Sequence, residues 1–407
     1  MSLAVAPMPL AVLIALLVLV GLGVFEYAVH ARRRDAIPIR IHVNGTRGKS
    51  SVVRLVAAAL RAHGVRTYAK TTGSQARLIT PDGTELPVYR PGLTNVIEQL
   101  RMIGIAARDG ADALVIECMA LHPRLQSLCE LRIVRATHGV ITNAWPDHLD
   151  VMGPTQNDVA LALLGTCPVQ AQLFTAEADF LPLFEAVCAD RGSRLVRVGP
   201  DAAAAVDDAT LARFDYIEHR ENVALALAVC EALGIPREVA LDGMTGAAPD
   251  VGALREHEVQ FFGRRVVFVN GFAANDPVAT RRVWQLALER HPECRRRIMV
   301  INCRLDRHDR SHQLGEALPA WPRADRYFLV GSGTWALAHT AVRHGLPATA
   351  LVPLEGEAAA AVFEELMGAA GRSALVLGAG NIAGVGLDLS RLFHNRARPP
   401  GDEERAA

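Results

Sequence analysis

Lysine is almost missing from this 407-residue chain. Only Lys49 and Lys70 carry an ammonium side chain, and every other basic residue is arginine. Compositional bias accounts for most of that shortage, but it marks the two survivors as candidates for specific work. Each precedes a hydroxyl residue near the end of an apparent strand. Net charge is missing too, with 43 basic residues against 43 acidic ones, which argues against a nucleic-acid protein or an acidic tail. No C-x-x-C pair occurs among the seven cysteines (118, 129, 167, 188, 230, 294 and 303). Reduced thiols in a cytosolic compartment are expected, and a disulfide framework is not. The chain is too long for one ordinary core, so two domains are expected.

What is present begins with an apolar run. Residues 10–24 include no polar side chain, and the stretch extends from 3 to 25 if Pro7 and Pro9 are tolerated. That is roughly the 20 residues a bilayer-spanning helix requires. Arg32, Arg33 and Arg34 follow the run and no charge precedes it, so the N-terminus is expected outside and the body in the cytoplasm. A cleaved signal peptide competes, with Val29-His30-Ala31 as its small-residue site. The missing leading basic region and the trailing arginines argue for an anchor.

Just beyond the arginines, an alternating apolar strand (39–43) runs into Asn44, Gly45, Thr46, Arg47, Gly48, Lys49, Ser50 and Ser51, and an apolar helix opens at Val52. This order suits phosphate binding. Glycines let backbone N–H groups close on an anion, the helix N-terminus adds its positive dipole end, and Lys49 supplies a full charge. Ser50 stands where a P-loop hydroxyl holds Mg²⁺. The longer Walker form wants glycine at position 43, where this chain has Val43, so the match is to the short form G-x-x-G-K-S.

Strand and helix patterns alternate along the body, as a parallel α/β sheet requires. A strand is expected at 65–69, followed by a polar loop at 70–74. A hairpin is expected from 76–79 to 86–89 around Asp82-Gly83, and a helix at 95–109. The strand 113–117 ends in Glu117, placed as a Walker-B-like carboxylate able to hold Mg²⁺, since ligands collect outside the carboxyl ends of parallel strands. A strand at 139–143 leads into Asp147, His148 and Asp150. On spacing alone, His148 is a metal ligand, an acid/base group or a helix-cap histidine.

The strings GTRGKSS, VIECMA and ITNAWPDHLDVMG, in this order and spacing, resemble the Mur ligase and folylpolyglutamate synthase superfamily. NGTRGKSS, AKTTG, IECMAL, RATHGVITN and DHLDVMGPT resemble more closely the ATP-dependent ligase subunits of poly-γ-glutamate synthases, as does the single N-terminal membrane helix. The resemblance covers nearly the whole chain. It implies an α/β molecule with a transmembrane helix at 1–34, a P-loop ATPase domain with a parallel sheet at 35–250, a smaller Rossmann-like domain at 251–394 and a disordered tail at 395–407.

On matching positions, it implies that residues 45–51 cradle the triphosphate, with Lys49 on the β/γ-phosphates and Ser50 on Mg²⁺. Glu117 would share that ion, and His148 would ligate a second one. Asn222, in the segment 218–226, would contact adenine. One departure stands out: Mur ligases often carry a carbamoylated lysine between the DHLD segment and that helix, and residues 153–219 contain no lysine.

A domain boundary is expected near 245–254. After it, residues 270–277 resemble the superfamily's DxYAHNP turn with Asn270 and Ala274 replacing its aspartate and histidine, while Asn275 keeps its place. The segment 303–311 resembles a loop that closes over ATP, making Arg304, Asp306 and Arg307 candidates for triphosphate and ribose contacts. Cys303, His308 and His312 also suggest zinc, but no fourth ligand is evident. The clusters Gly331-Ser332-Gly333 and Gly378-Ala379-Gly380 allow a dinucleotide reading, with Glu355 about 20 residues after the first.

The function implied is a membrane-anchored, ADP-forming amide ligase. ATP and Mg²⁺ would activate the terminal carboxylate of a glutamate chain, and the amine of glutamate would attack it, building poly-γ-glutamate for a capsule or a secreted polymer. Lys70 and Thr71, with Asn275, are candidates for substrate contact, and closure of the two domains over ATP is expected. One helix cannot form an export path, so a multi-spanning membrane subunit is the expected partner, with homo-oligomers also open. The competing classes are a membrane-bound regulatory P-loop ATPase without covalent product and a dinucleotide oxidoreductase.

Overall fold

The computed structural model describes residues 8–72, 76–90, 95–250, 254–261, 263–272, 274 and 276–397. The chain divides into two units: 1–213 with 219–248, and 214–218 with 249–407. The brief return at 214–218 reflects a bridge between Ile217 and Leu254. Asn275 and residues 398–407 of the tail lie outside the described residues.

The first unit is built on an eight-stranded sheet in the order β4-β3-β2-β5-β1-β6-β7-β8. Its strands are β1 (Ile39–Asn44), β2 (Thr67–Thr71), β3 (Arg77–Ile79), β4 (Glu85–Pro87), β5 (Ala113–Glu117), β6 (His138–Ile141), β7 (Gln172–Thr175) and β8 (Arg194–Arg197). The hairpin β3–β4 and its junction with β2 are antiparallel, and the remaining pairs are parallel. β5 is apolar up to its terminal Glu117 and wholly buried, because the sheet is covered on both faces, whereas β1 alternates apolar residues with Arg40, His42 and Asn44, the last two buried.

Helix α1 (Met8–Asp35) precedes the sheet. Its side chains from Leu10 to Phe25 are exposed, whereas His30 and Arg34 are buried against the unit. It is the one helix among the described residues long and apolar enough to cross a membrane. Helix α2 (Lys49–Ala62) is buried from Val52 through Leu60, because β2 and β5 cover one side while helices Arg220–Ala232 and Arg237–Thr245 cover the other. Arg54 is drawn into that packing and answered by the carboxylate of Glu85. Helix α3 (Ile97–Arg108) lies beside α1. Helix α4 (Pro123–Leu128) continues into a π-helical turn, Cys129–Val134.

The second unit holds a six-stranded sheet in the order β13-β12-β11-β14-β10-β9. Its strands are β9 (Arg255–Phe261), β10 (Arg264–Asn270), β11 (Arg296–Cys303), β12 (Arg326–Gly331), β13 (Leu351–Glu355) and β14 (Ser373–Gly380). β9 is the antiparallel edge and the other pairs are parallel. Alternate residues feed two separate cores. Val267, Val269, Met299, Ile301 and Leu377 join one around Trp284, and Val266, Phe268, Ile298, Val300 and Val376 join the other around Phe393. This is a Rossmann-like layering of helices on both faces of a mostly parallel sheet.

Candidate active site

Strand register assembles the phosphate loop. β1 sits between β5 and β6, pairing Val43 with Glu117 on one side and Asn44 with Ile141 on the other. The chain leaving β1 therefore turns at Gly45 with a carboxylate on one flank and Thr142-Asn143 on the other. Thr46 donates its backbone N–H to the Asn143 carbonyl (3.1 Å) and its hydroxyl to the Asn143 side chain (2.6 Å). The Arg47 N–H also reaches that side chain (3.0 Å), and the Thr142 hydroxyl donates to the Arg47 carbonyl (2.6 Å). Gly48 takes φ 81° just before α2, a left-handed conformation that suits glycine. A side chain there would also meet Asn222, since a Cβ would lie 2.5 Å from its amide oxygen.

The charged groups converge at the mouth of this loop. Ser50 donates its hydroxyl to Glu117 Oε2 (2.8 Å), and the Thr72 backbone N–H donates to the same oxygen (2.6 Å). The Lys49 ammonium folds back onto the carbonyls of Gly45 (2.6 Å) and Thr46 (3.3 Å). Burial pushes its pKa down while the Glu117 carboxylate pulls it up, and the net shift is downward. Asp147 lies 3.6 Å from the Arg47 guanidinium and 3.8 Å from the His148 ring. His148 itself precedes a short helix (Leu149–Met152) with φ 47°. His148 occupies the N-cap position of that helix without a side-chain capping hydrogen bond, and it lies near the loop through Asp147 and Arg47. Ser51 lies in the first turn of α2.

Whether a divalent cation suits this place can be tested on the donors. A hard cation takes oxygen ligands, and the Ser50 hydroxyl and Glu117 carboxylate already meet at one point. The Thr71 hydroxyl is buried with no hydrogen-bond partner, an orphaned oxygen on the last residue of β2, next to Thr72. The donor set fits.

Two expected contacts come out differently. Lys70 is fully buried and lies 2.7 Å from Glu98, which also holds Arg90 at 2.6 Å. A substrate carboxylate would have to displace Glu98 from a dry ion pair, so the Lys70 side chain serves the interior. The Asn44 side chain also turns inward, donating to Gln126 (2.7 Å) and Thr166 (3.1 Å). Beside it His42 meets Glu130 at 2.8 Å, and Glu130 accepts the Ala136 N–H at 2.8 Å. Burial alone would depress the His42 pKa, but Cys118 and Glu130 outweigh it and raise it to about 9. Sequence reasoning assigned no role to Asn143, Asp147 or Glu130. The first two were discoverable as the residues that follow the strand neighbouring the loop, whereas Glu130 carries no local signal.

In the second unit, Arg304 forms a bidentate pair with Asp306 (2.9 and 2.7 Å) in the loop after β11, and Arg307 closes a short 3₁₀ turn. The zinc reading fails: His312 bonds the Thr340 hydroxyl at 2.8 Å, and burial pushes the Cys303 thiol up to about 11. No group of three metal-ligating side chains occurs among the described residues. The dinucleotide reading also loses its anion site. Glu355 accepts the N–H groups of Gly333 (2.7 Å) and Thr334 (3.1 Å), so a carboxylate of the chain itself fills the helix N-terminus where a pyrophosphate would sit. The Gly378 cluster has a packing explanation, since a Cβ there would lie 2.6 Å from Phe272. A cavity of about 210 Å³ at the foot of α1, lined by Phe25, Glu26, Val29, His30, Arg33 and Leu100, is not part of the phosphate loop.

Comparison with known proteins adds the family relationship. Residues 43–225 match the Mur ligase middle domain, and residues 256–396 match the poly-gamma-glutamate synthase CapB C-terminal domain. The capsule biosynthesis protein CapB of Bacillus anthracis is 35% identical over 366 residues, covering 89% of this chain and 78% of that one. The PGA synthase CapB of Bacillus subtilis (strain 168) is 34% identical over 386 residues, covering 94% of this chain and 97% of that one. Among solved structures, FolC of Escherichia coli in complex with DHPP and ADP shares the fold at a TM-score of 0.67 with 18% identity, covering 91% of this chain and 93% of that one. A phosphate loop backed by a strand-end glutamate, a Rossmann-like second unit and identity to two curated relatives along most of the chain lead to one assignment: this chain belongs to the CapB family of poly-γ-glutamate synthases, built on the Mur ligase fold.

Proposed function

We propose that this protein is an ATP-dependent, ADP-forming amide ligase that extends poly-γ-glutamate. The observation that carries the reading is the meeting of the Ser50 hydroxyl and the Thr72 N–H on Glu117 at the mouth of the 45–51 loop. That arrangement supplies a phosphate cradle and a hydroxyl–carboxylate cation site together, which a ligase that phosphorylates its substrate requires. A regulatory ATPase would need the same loop, but the family relationship favours the ligase.

In the reaction proposed, a terminal carboxylate oxygen of the glutamate chain attacks the γ-phosphorus, and the bond from that phosphorus to the β–γ bridging oxygen breaks, releasing ADP. The amine of an incoming glutamate then attacks the acyl carbon, its proton passes to a base, and phosphate leaves as the C–N bond forms. The physical difficulty is that a polyanion must approach a triphosphate. The backbone N–H groups of Gly45, Thr46, Arg47 and Gly48, with the α2 N-terminus, would hold the phosphates, and Lys49 would leave the Gly45 and Thr46 carbonyls to bind the β- and γ-phosphates. Ser50 and Glu117 would hold Mg²⁺, which supplies charge neutralisation between the phosphates and the acceptor. Asn222 would contact adenine, and His148 would act near the acyl phosphate. Arg304, Asp306 and Arg307 are assigned to the triphosphate and ribose. With α1 as a single-pass anchor and the arginines at its cytoplasmic end, chemistry would proceed at the inner face of the cell membrane beside a multi-spanning subunit of the same synthase.

Hydroxylamine trapping tests the activated carboxylate. Membranes given ATP, a glutamate oligomer and hydroxylamine should form the hydroxamate, and Glu117→Gln should lower its rate about 10²–10³-fold. Hydroxamate formation that is independent of ATP, or unchanged in that variant, contradicts the proposal.

A further inference from the structure

The helix formed by α4 and its π-helical continuation presents to the outside a face that the ligase reading does not use. Leu125, Leu128 and Leu131 are each at least 40% exposed, although nothing in the chemistry requires apolar side chains in water. Arg124, Arg132 and Arg135 are exposed on the same segment, Arg135 as the residue that ends the π-helical turn. Among the described residues none of these three arginines makes a direct ion pair, although the Asp35 carboxylate of α1 lies in the field of Arg135. The helix's acidic residue, Glu130, is turned inward onto His42. The face is therefore cationic and apolar at once, with no carboxylate of its own.

Its position says what covers it. The His30 ring, near the end of α1, donates Nε2–H to the Ile133 carbonyl (3.0 Å), and Arg34 reaches the Arg132 carbonyl (3.4 Å). Six residues separate His30 from Val24, the end of the uninterrupted apolar run, or about 9 Å along a helix. A bilayer of about 40–45 Å total has a hydrocarbon core of about 30 Å, which leaves several ångströms of headgroups on each side. The Ile133 end of this face therefore stands just outside the headgroup layer, within reach of a long arginine side chain, when α1 spans the membrane. Arginine stems lie along apolar surface while their heads reach phosphate, and an anionic leaflet attracts cations close to its surface.

We infer that the outward face of helix 123–135 docks on anionic lipid headgroups, fixing how the phosphate-loop unit stands on the membrane. The inference rests on α1 being a membrane anchor. It is a second contact, made by the folded body, and it does not follow from the anchor alone. The π-helical turn suits the role, because it carries the carbonyls that receive His30 and Arg34 as well as the buried Glu130 that holds the strand leading into the phosphate loop.

The test uses the full chain in lipid nanodiscs. All seven native cysteines are buried, so Leu128→Cys can be labelled selectively with an environment-sensitive fluorophore. Nitroxide-headgroup lipids should quench it in phosphatidylcholine discs containing phosphatidylglycerol and much less in phosphatidylcholine alone. The triple variant Arg124→Glu, Arg132→Glu, Arg135→Glu should lose the quenching while keeping its ADP affinity, which reports that the fold survives. Equal, weak quenching in both lipids overturns the inference, and so does shielding of the label only when another membrane protein is added. A chain that fails to co-elute with the discs overturns the anchor reading itself, a result distinct from the other two.

Discussion

Lys70 and Glu98 form a nearly fully buried ion pair, and its worth can be measured. Removing one partner of a buried pair strands the other charge and costs about 3–5 kcal/mol. Arg90 still answers Glu98, so Lys70→Met should fall near the lower end of that range in urea unfolding, and adding Glu98→Gln should recover most of the loss. Full loss of stability in both variants alike would mean that the pair is not the unit that matters. His42 makes a pH-dependent contribution. Its pKa is raised from 6.5 to about 9 in the folded protein, so its stabilising effect is complete below the unfolded value and disappears as pH rises through the folded one. The shift corresponds to about 3 kcal/mol lost across that interval. His42→Gln should flatten the decline of thermal stability between about pH 6.5 and 9, and an unchanged slope would contradict the assignment. Neither pairing was legible in the sequence. Lys70 reads as a strand-end lysine near a hydroxyl loop, and only the sheet order, which brings α3 over β2, shows that Glu98 claims it.

At the scale of elements, the phosphate loop was legible because its chemistry is local: a strand, two glycines, a lysine and a helix are contiguous in sequence. Glu117 was legible at one remove, since a carboxylate ending an apolar parallel strand projects toward the loop. The edges were less so. β2 begins at Thr67 and runs to Thr71, later than its apolar pattern suggests, because pairing with β5 continues past the apolar residues to Lys70. The clasp made by Thr142 and Asn143 depends on β6 lying beside β1, a long-range fact that no local pattern reports. Gly48 tests the tightness of the loop. Gly48→Ala must adopt φ 81° at a cost of roughly 1–2 kcal/mol and must also displace the Asn222 amide. Calorimetry should show ADP binding at least about tenfold weaker with the far-ultraviolet circular dichroism unchanged, the equivalent of about 1.4 kcal/mol. Wild-type affinity in that variant would separate Gly48 from the nucleotide.

At the scale of the molecule, the fold joins an apolar exposed helix to the unit that carries the 45–51 loop through contacts of His30 and Arg34 with the π-helical turn. The two glycine clusters of the second unit, which by pattern alone allow a redox enzyme, are used instead for a carboxylate-capped helix and for close packing against Phe272. A Rossmann-like layering can thus persist without a dinucleotide. The central claim is that ATP cleavage at the 45–51 loop is coupled to formation of γ-linked amide bonds. Membranes containing this chain and its synthase partners, supplied with ATP and glutamate, test it directly. The account predicts glutamate-dependent release of ADP and phosphate in equal amounts, matched by new γ-linked bonds. Release of AMP, or ATP turnover that proceeds at full rate without glutamate, would contradict it.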